Sequence, residues 1–298
     1  MSSGPSRPRY VNLMSDAGFK AVFADRSNKE ILVGLLNYAL PPDVRVRDIV
    51  RYEDREQPVS VAGGKRTILD HVCVDDMGVT FSVEVQRYAE RSFFERCVYY
   101  CSGKYHAGLG EGERYSSLRP VHVVAFMSFN YPHRDESLWN SDNIVSNFRM
   151  IEQRTHEFAP QTIFVNFVEL DRFTKPISEC ESERDCLFYW FKHGWEMDEA
   201  PGDVRKVGFL RNLVDACEIA AFPLSKKREY DKDMLTELDI LAQRDYAREE
   251  GRAEGWTKGV AEGIATVART MLSKGKAVSE IMEMTGLAEK DILSLDDK

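Results

Sequence analysis

The stretch TILDHVCVDDMGVTFSVEVQ, residues Thr67–Gln86, reads as a β-hairpin. Val72 and Val74 lead into Asp75-Asp76-Met77-Gly78, a turn-forming cluster. The return strand alternates, with Phe81, Val83 and Val85 on one face and Thr80, Ser82, Glu84 and Gln86 on the other. A three-residue loop, Asp76-Met77-Gly78, with glycine in the left-handed position, pairs Val74 with Thr80 and Val72 with Ser82. The same register sets Asp70 opposite Glu84, with β-carbons about 4.5–5.5 Å apart, and Gln86 shares their face. Facing carboxylates repel unless something positive lies between them. A divalent cation with oxygen ligands fits that place. It would lower the pKa of bound water and stabilise charge on a scissile phosphate. A face of Thr, Ser, Glu and Gln is also what a solvated strand presents, and a one-residue slip would break the opposition.

Outward from the hairpin, residues 90–107 predict a helix whose apolar row is Phe93, Cys97 and Cys101. Pro120–Phe129 is an almost unbroken apolar run of strand length, expected to be covered on both faces. Thr162–Leu170 predicts one more strand. Upstream, Phe19, Val22 and Phe23 mark a short helical turn, and Ser27-x-x-Glu30 has the spacing of a capping box. Ile31, Leu32, Leu35, Leu36 and Ala39 form the apolar face of a helix stopped by Pro41-Pro42. Residues 43–66 are polar and predict only a turn at Gly63-Gly64. From about residue 179 the patterns are helical, including Val204–Phe222. Gly251, Gly255, Gly259 and Gly263 recur at four-residue intervals in charged sequence, each costing a helix about 1 kcal/mol against alanine. Ile264–Leu272, Val278–Met284 and Ala288–Leu295 are short helix candidates.

Composition limits the function classes. The chain has no apolar run of membrane-spanning length, and Met1–Arg9 reads as a disordered tail without the apolar region of a secretory signal. Six scattered cysteines show no zinc spacing, as expected of reduced thiols in a cytoplasmic protein. The net charge of −9 is unevenly spread. Residues 1–130 carry 17 Lys and Arg against 16 Asp and Glu, so the remaining 168 carry 23 against 33. The near-neutral N-terminal part leaves room for a DNA-binding cleft, whose phosphate contacts need cations.

Asp70, followed after the hairpin by Glu84-Val85-Gln86, resembles the D…(D/E)-x-K signature of the PD-(D/E)xK nuclease superfamily. More narrowly, the chain resembles the bacterial recombination-promoting nuclease or transposase family. The matching patches are Asp16-x-x-Phe19-Lys20-x-x-Phe23, Leu36-Asn37, Ile68-Leu69-Asp70, Val83-Glu84-Val85-Gln86, and Arg96-x-x-Tyr99-Tyr100 with Tyr105. They continue through Pro120-Val121-His122-Val123, Glu169-Leu170-x-x-Phe173-x-Lys175, the glycine repeat and Thr285-Gly286-Leu287. The resemblance implies an α/β fold of restriction-endonuclease type, a mixed sheet flanked by helices, here followed by a helical C-terminal region. It implies DNA cleavage with Mg²⁺ or Mn²⁺, Asp70 and Glu84 as metal ligands, and Gln86 at the catalytic lysine position. An amide brings neither charge nor titratable proton. Leu69 stands where the superfamily has proline.

Lys20, Arg96 and Tyr100 are DNA-contact candidates; Arg96, Tyr100 and Lys104 share a helix face that could meet phosphates or simply be solvated. Asp16 and Glu30 could complete an acidic cluster, yet each has an adequate role as a helix-start residue. His71 points away from the Asp70 face and reads as structural. The expected organisation is a nuclease core over 1–175, a helical extension packed on it over 176–245, and a glycine-repeat tail over 246–298. The tail is a candidate for homo-oligomer formation. The alternative to a DNA endonuclease is a catalytically inactive DNA-binding or oligomerising protein on the same fold.

Overall fold

The computed structural model describes residues 8–53, 56–57, 67–68, 71–159, 162–206 and 208–295. The chain divides into two compact units, Met1–Glu237 and Leu238–Lys298.

The first unit is an α/β fold. Its helices α1 (Asp16–Phe23) and α2 (Lys29–Ala39) are followed by strands β1 (Ile49–Glu53), β2 (Glu56–Gln57), β3 (Thr67–Ile68), β4 (His71–Asp75) and β5 (Thr80–Gln86). Helix α3 (Phe93–Ala107) then crosses to β6 (Val121–Met127), and β7 (Val145–Phe148) and β8 (Ile163–Glu169) complete the strands. β1, β4, β5, β6, β8 and β7 form one mixed sheet in that order, while β2 and β3 pair separately. β5, β6 and β8 run parallel; β1, β4 and β7 are antiparallel to their neighbours. Parallel strands need a long crossover, and α3 is the one between β5 and β6.

Both faces of this sheet are covered. On one, Phe81, Val83, Val124 and Phe126 pack with α1, α2 and the later helices α4 (Glu183–His193), α5 (Gly202–Lys206) and α6 (Gly208–Cys217). On the other, Val121, Val123, Ala125 and Met127 meet Phe93, Cys97 and Cys101 of α3. All seven residues of β6 are therefore buried, which is why its sequence is an apolar run.

Three local expectations are corrected. Ser27 does not cap a helix: Asp25 accepts hydrogen bonds from the Ser27 amide and hydroxyl, and Asn28 precedes α2 without a side-chain cap. The helix expected over Val204–Phe222 ends at Cys217, and a 3₁₀ turn at Ile219–Ala221 follows. Arg9, read as part of a loose tail, is fixed, since its Nε donates to Glu218 at 3.0 Å and Ile219 N donates to its carbonyl. Residues 1–7 of that tail and Gly63-Gly64 lie outside the described residues.

Helix α7 spans Leu224–Ser273 and carries the four-glycine row; an added Cβ at Gly251, Gly255, Gly259 or Gly263 would meet nothing within 4 Å. In the second unit, α8 (Val278–Thr285) and α9 (Glu289–Leu293) follow. Ala268, Ile281 and Ile292 form its small core. Gly286, at φ +71°, ends α8 in the left-handed conformation, and its N–H donates to Met282 O.

Candidate active site

The hairpin adopts the expected register. His71 pairs with Val83, Val72 with Ser82, Cys73 with Phe81 and Val74 with Thr80. Asp75 and Val79 close the loop, with Asp75 N donating to Val79 O at 3.0 Å and Gly78 at φ +81°. The Asp75 carboxylate further fixes the loop by accepting from Met77 N and Val79 N. A residue with a Cβ would be strained at Gly78. Asp70, with Leu69, lies outside the described residues.

Ser82, Glu84 and Gln86 share the face on which α3 packs, as their parallel partners Val123, Ala125 and Met127 do. A solvated strand would expose them. Instead Ser82 is 1% and Glu84 6% exposed. Ser82 Oγ donates to Glu84 Oε1 at 3.3 Å. Burial pushes the Cys97 and Cys101 thiols of α3 up, Cys101 to about 12, and the neighbouring Glu84 carboxylate adds to both shifts.

Gln86 ends β5. Its Nε2 donates to Tyr88 O at 2.8 Å, and its Oε1 accepts from Arg96 Nη2 at 2.7 Å. Arg96 Nη1 also donates to Glu90 at 2.6 Å. The guanidinium lies 4.9 Å from the Phe93 ring centroid and 5.9 Å from that of Tyr100. Arg96 and Tyr100 thus stand together on α3 on the Gln86 side of the sheet. Lys20 does not join them. It is on α1, in the layer covering the opposite face, ion-paired with Asp16 and bordering a cavity of about 420 Å³ shared with Asp25 and Lys226. His71 is buried, edge-on to Tyr52 at 5.2 Å.

One acidic residue of this face was not anticipated. Glu53, at the end of β1, pairs with Val72 and so shares the α3 side; its carboxylate meets Lys104 Nζ at 3.1 Å. Burial pushes the Glu53 carboxyl up, but Lys104 and Arg51 more than offset it, and its pKa is lowered. The alternation that would have revealed β1 is interrupted by an irregularity between Ile49 and Arg51.

A hard cation would find a buried carboxylate and a hydroxyl here, the donor chemistry it needs. Among the described residues, no three or more His, Cys, Asp or Glu side chains converge as a metal-binding group. Nor, among the described residues, is any helix long and apolar enough to cross a membrane.

At the same end of the parallel strands, two strands across from Gln86 through Met127, Glu169 is fully buried and saturated. It accepts from His133 Nε2 (2.7 Å, with the imidazole in its donor form), Arg172 Nε (2.7 Å), Tyr131 N (2.9 Å) and Ser146 Oγ (3.0 Å). This network ties the loop after β6 to β7 and β8.

Comparison with protein families matches residues 13–247 to the PD-(D/E)XK nuclease family transposase model. No curated protein and no solved structure matches the chain.

Proposed function

Because the chain belongs to the PD-(D/E)XK nuclease family transposases, we propose that it is a divalent-metal-dependent DNA endonuclease acting in recombination or mobile-element biology. The observation that carries this reading is the hairpin: its four described pairs follow the register from which the opposition of Asp70 and Glu84 was inferred, and Glu84 is buried on the expected face. Asp70 and Glu84 are the proposed ligands of Mg²⁺ or Mn²⁺. When bound, such an ion supplies a more acidic water and a counter-charge for the phosphate. Glu84 presents carboxylate oxygens, Ser82 orients one of them, and Gln86 offers amide N–H donors at the strand end. Arg96 and Tyr100 are the nearer DNA-contact candidates, and Lys20 a more distant one.

The proposed division of labour keeps cleavage in the core, residues 1–175, with 176–245 as its helical support and 246–298 as an association element. Exposed Tyr246, Trp256 and Val260 on α7, beside the open glycine row, support homo-oligomer formation through the tail. Six free thiols support a reducing, cytoplasmic setting. A second reading, a DNA-binding protein that no longer cuts, is favoured by Gln86, which lacks the charge of lysine. Nicking of supercoiled plasmid decides between them. The proposal expects Mg²⁺- or Mn²⁺-dependent nicking that EDTA abolishes; binding without nicking would establish the second reading.

A further inference from the structure

We propose that Arg96 is a positioning residue for cleavage: through its hydrogen bond to Gln86 it supplies the positive charge that the superfamily lysine would bring to this position. The inference rests on the nuclease reading above. The Gln86 amide has a settled orientation. Arg96 can only donate and Tyr88 O can only accept, so Oε1 faces the guanidinium and Nε2 faces the carbonyl. The amide's oxygen has a charged donor, while its nitrogen keeps a second N–H. A charged donor on the oxygen draws electron density from the nitrogen and strengthens that N–H as a donor. A neutral side chain thereby carries part of a cation's influence.

The surroundings of Arg96 fit this role better than a purely stabilising one. Its buried Nε has no hydrogen-bond partner among the described residues. Its carboxylate partner, Glu90, is 43% exposed, so the charge is only partly cancelled. Phe93 and Tyr100 hold the guanidinium at 4.9 and 5.9 Å.

The test is a double-mutant cycle of wild type, Arg96→Gln, Gln86→Lys and the double variant. Each is assayed for nicking of supercoiled plasmid with Mn²⁺, for Mn²⁺ affinity by calorimetry and for melting. Arg96→Gln should slow nicking about 100-fold in the native background, a loss typical of one electrostatic donor. In the Gln86→Lys background it should cost no more than about threefold, because lysine then supplies the charge. Arg96→Lys, which keeps the charge without the fork, should retain part of the rate, and it replaces Arg96→Gln in the cycle if that variant does not fold. Mn²⁺ affinity should change by less than about threefold, since a positioning residue is not a ligand. Equal losses in both backgrounds, or loss of Mn²⁺ binding together with rate, would overturn the role of Arg96 alone. A wild type that never nicks would overturn the nuclease reading, and this inference with it.

Discussion

Twice in this sheet an arginine reaches the last residue of a parallel strand, with different consequences. At the end of β8, Arg172 meets Glu169, a fully buried carboxylate that also accepts from His133, Ser146 and Tyr131 N. At the end of β5, Arg96 meets Gln86, a neutral amide, and its carboxylate partner Glu90 is half in solvent. In the first, charge cancels charge and the gain is rigidity. In the second, the guanidinium is shared between a neutral amide and a partly exposed carboxylate, so its charge is less fully cancelled. The difference teaches that the same reach of arginine to strand end serves the fold where the acceptor is charged and can serve chemistry where it is not.

The comparison is most exposed at the hairpin. Asp70→Ala or Glu84→Ala should each reduce metal-dependent nicking by at least about 1000-fold, and the double variant should be little worse, because ligands of one ion act as a unit. Multiplicative losses would mean separate roles.

Next in size is the β8 end. Glu169→Gln removes the buried carboxylate of the network, leaves Arg172 only the half-exposed Glu136 as countercharge, and should cost about 3–5 kcal/mol of unfolding free energy in urea. A cost below about 1 kcal/mol would show that the network is not what holds this corner. Gln86→Ala should slow nicking about tenfold to 100-fold while Gln86→Lys preserves or raises it; equal rates for wild type and Gln86→Ala would remove Gln86 from the chemistry.

Acid sensitivity separates these sites from a third buried polar group. His122, stacked between Phe81 and Phe164, is pulled down to about 3, by burial first and then by Arg149, with Asp43 opposing. The unfolded chain takes up its proton near pH 6.5 and the folded one does not. Stability is therefore unaffected above that pH and falls as pH drops toward 3, by at most about 1.4 kcal/mol per pH unit. His122→Gln should flatten that limb in urea melts at pH 4–6; an unchanged slope would assign the acid sensitivity elsewhere. The smallest expected effect on cleavage is that of deleting residues 246–298, which removes almost none of the family match. Oligomer mass should fall, by light scattering, with nicking within about twofold; a folded monomer that no longer cuts would contradict the division of labour.

Much of the core was legible because local rules and packing agree there. Gly78 fixed the loop, the loop fixed the register, and the Phe93, Cys97 and Cys101 row marked the buried face of α3. β6 and β8 showed as apolar runs. β1 was hidden by its irregular pairing with β4, and with it the Glu53–Lys104 pair. β7 is a short edge strand whose Ser146 and Asn147 bond across to Glu169 and Asn166, contacts no local pattern announces. Burial of Ser82 and Glu84 was equally unreadable, since polar alternation does not tell whether a helix lies above it. The Arg96–Gln86 bond joins residues ten apart across a turn, and position on a helix face gave only half of it.

The most direct test of the central claim is Mn²⁺ titration calorimetry on the metal-free wild type, Asp70→Ala, Glu84→Ala and the double variant. The account predicts binding by the wild type, much weaker binding by either single variant and no further loss in the double. Wild-type Mn²⁺ affinity in the folded double variant would contradict it.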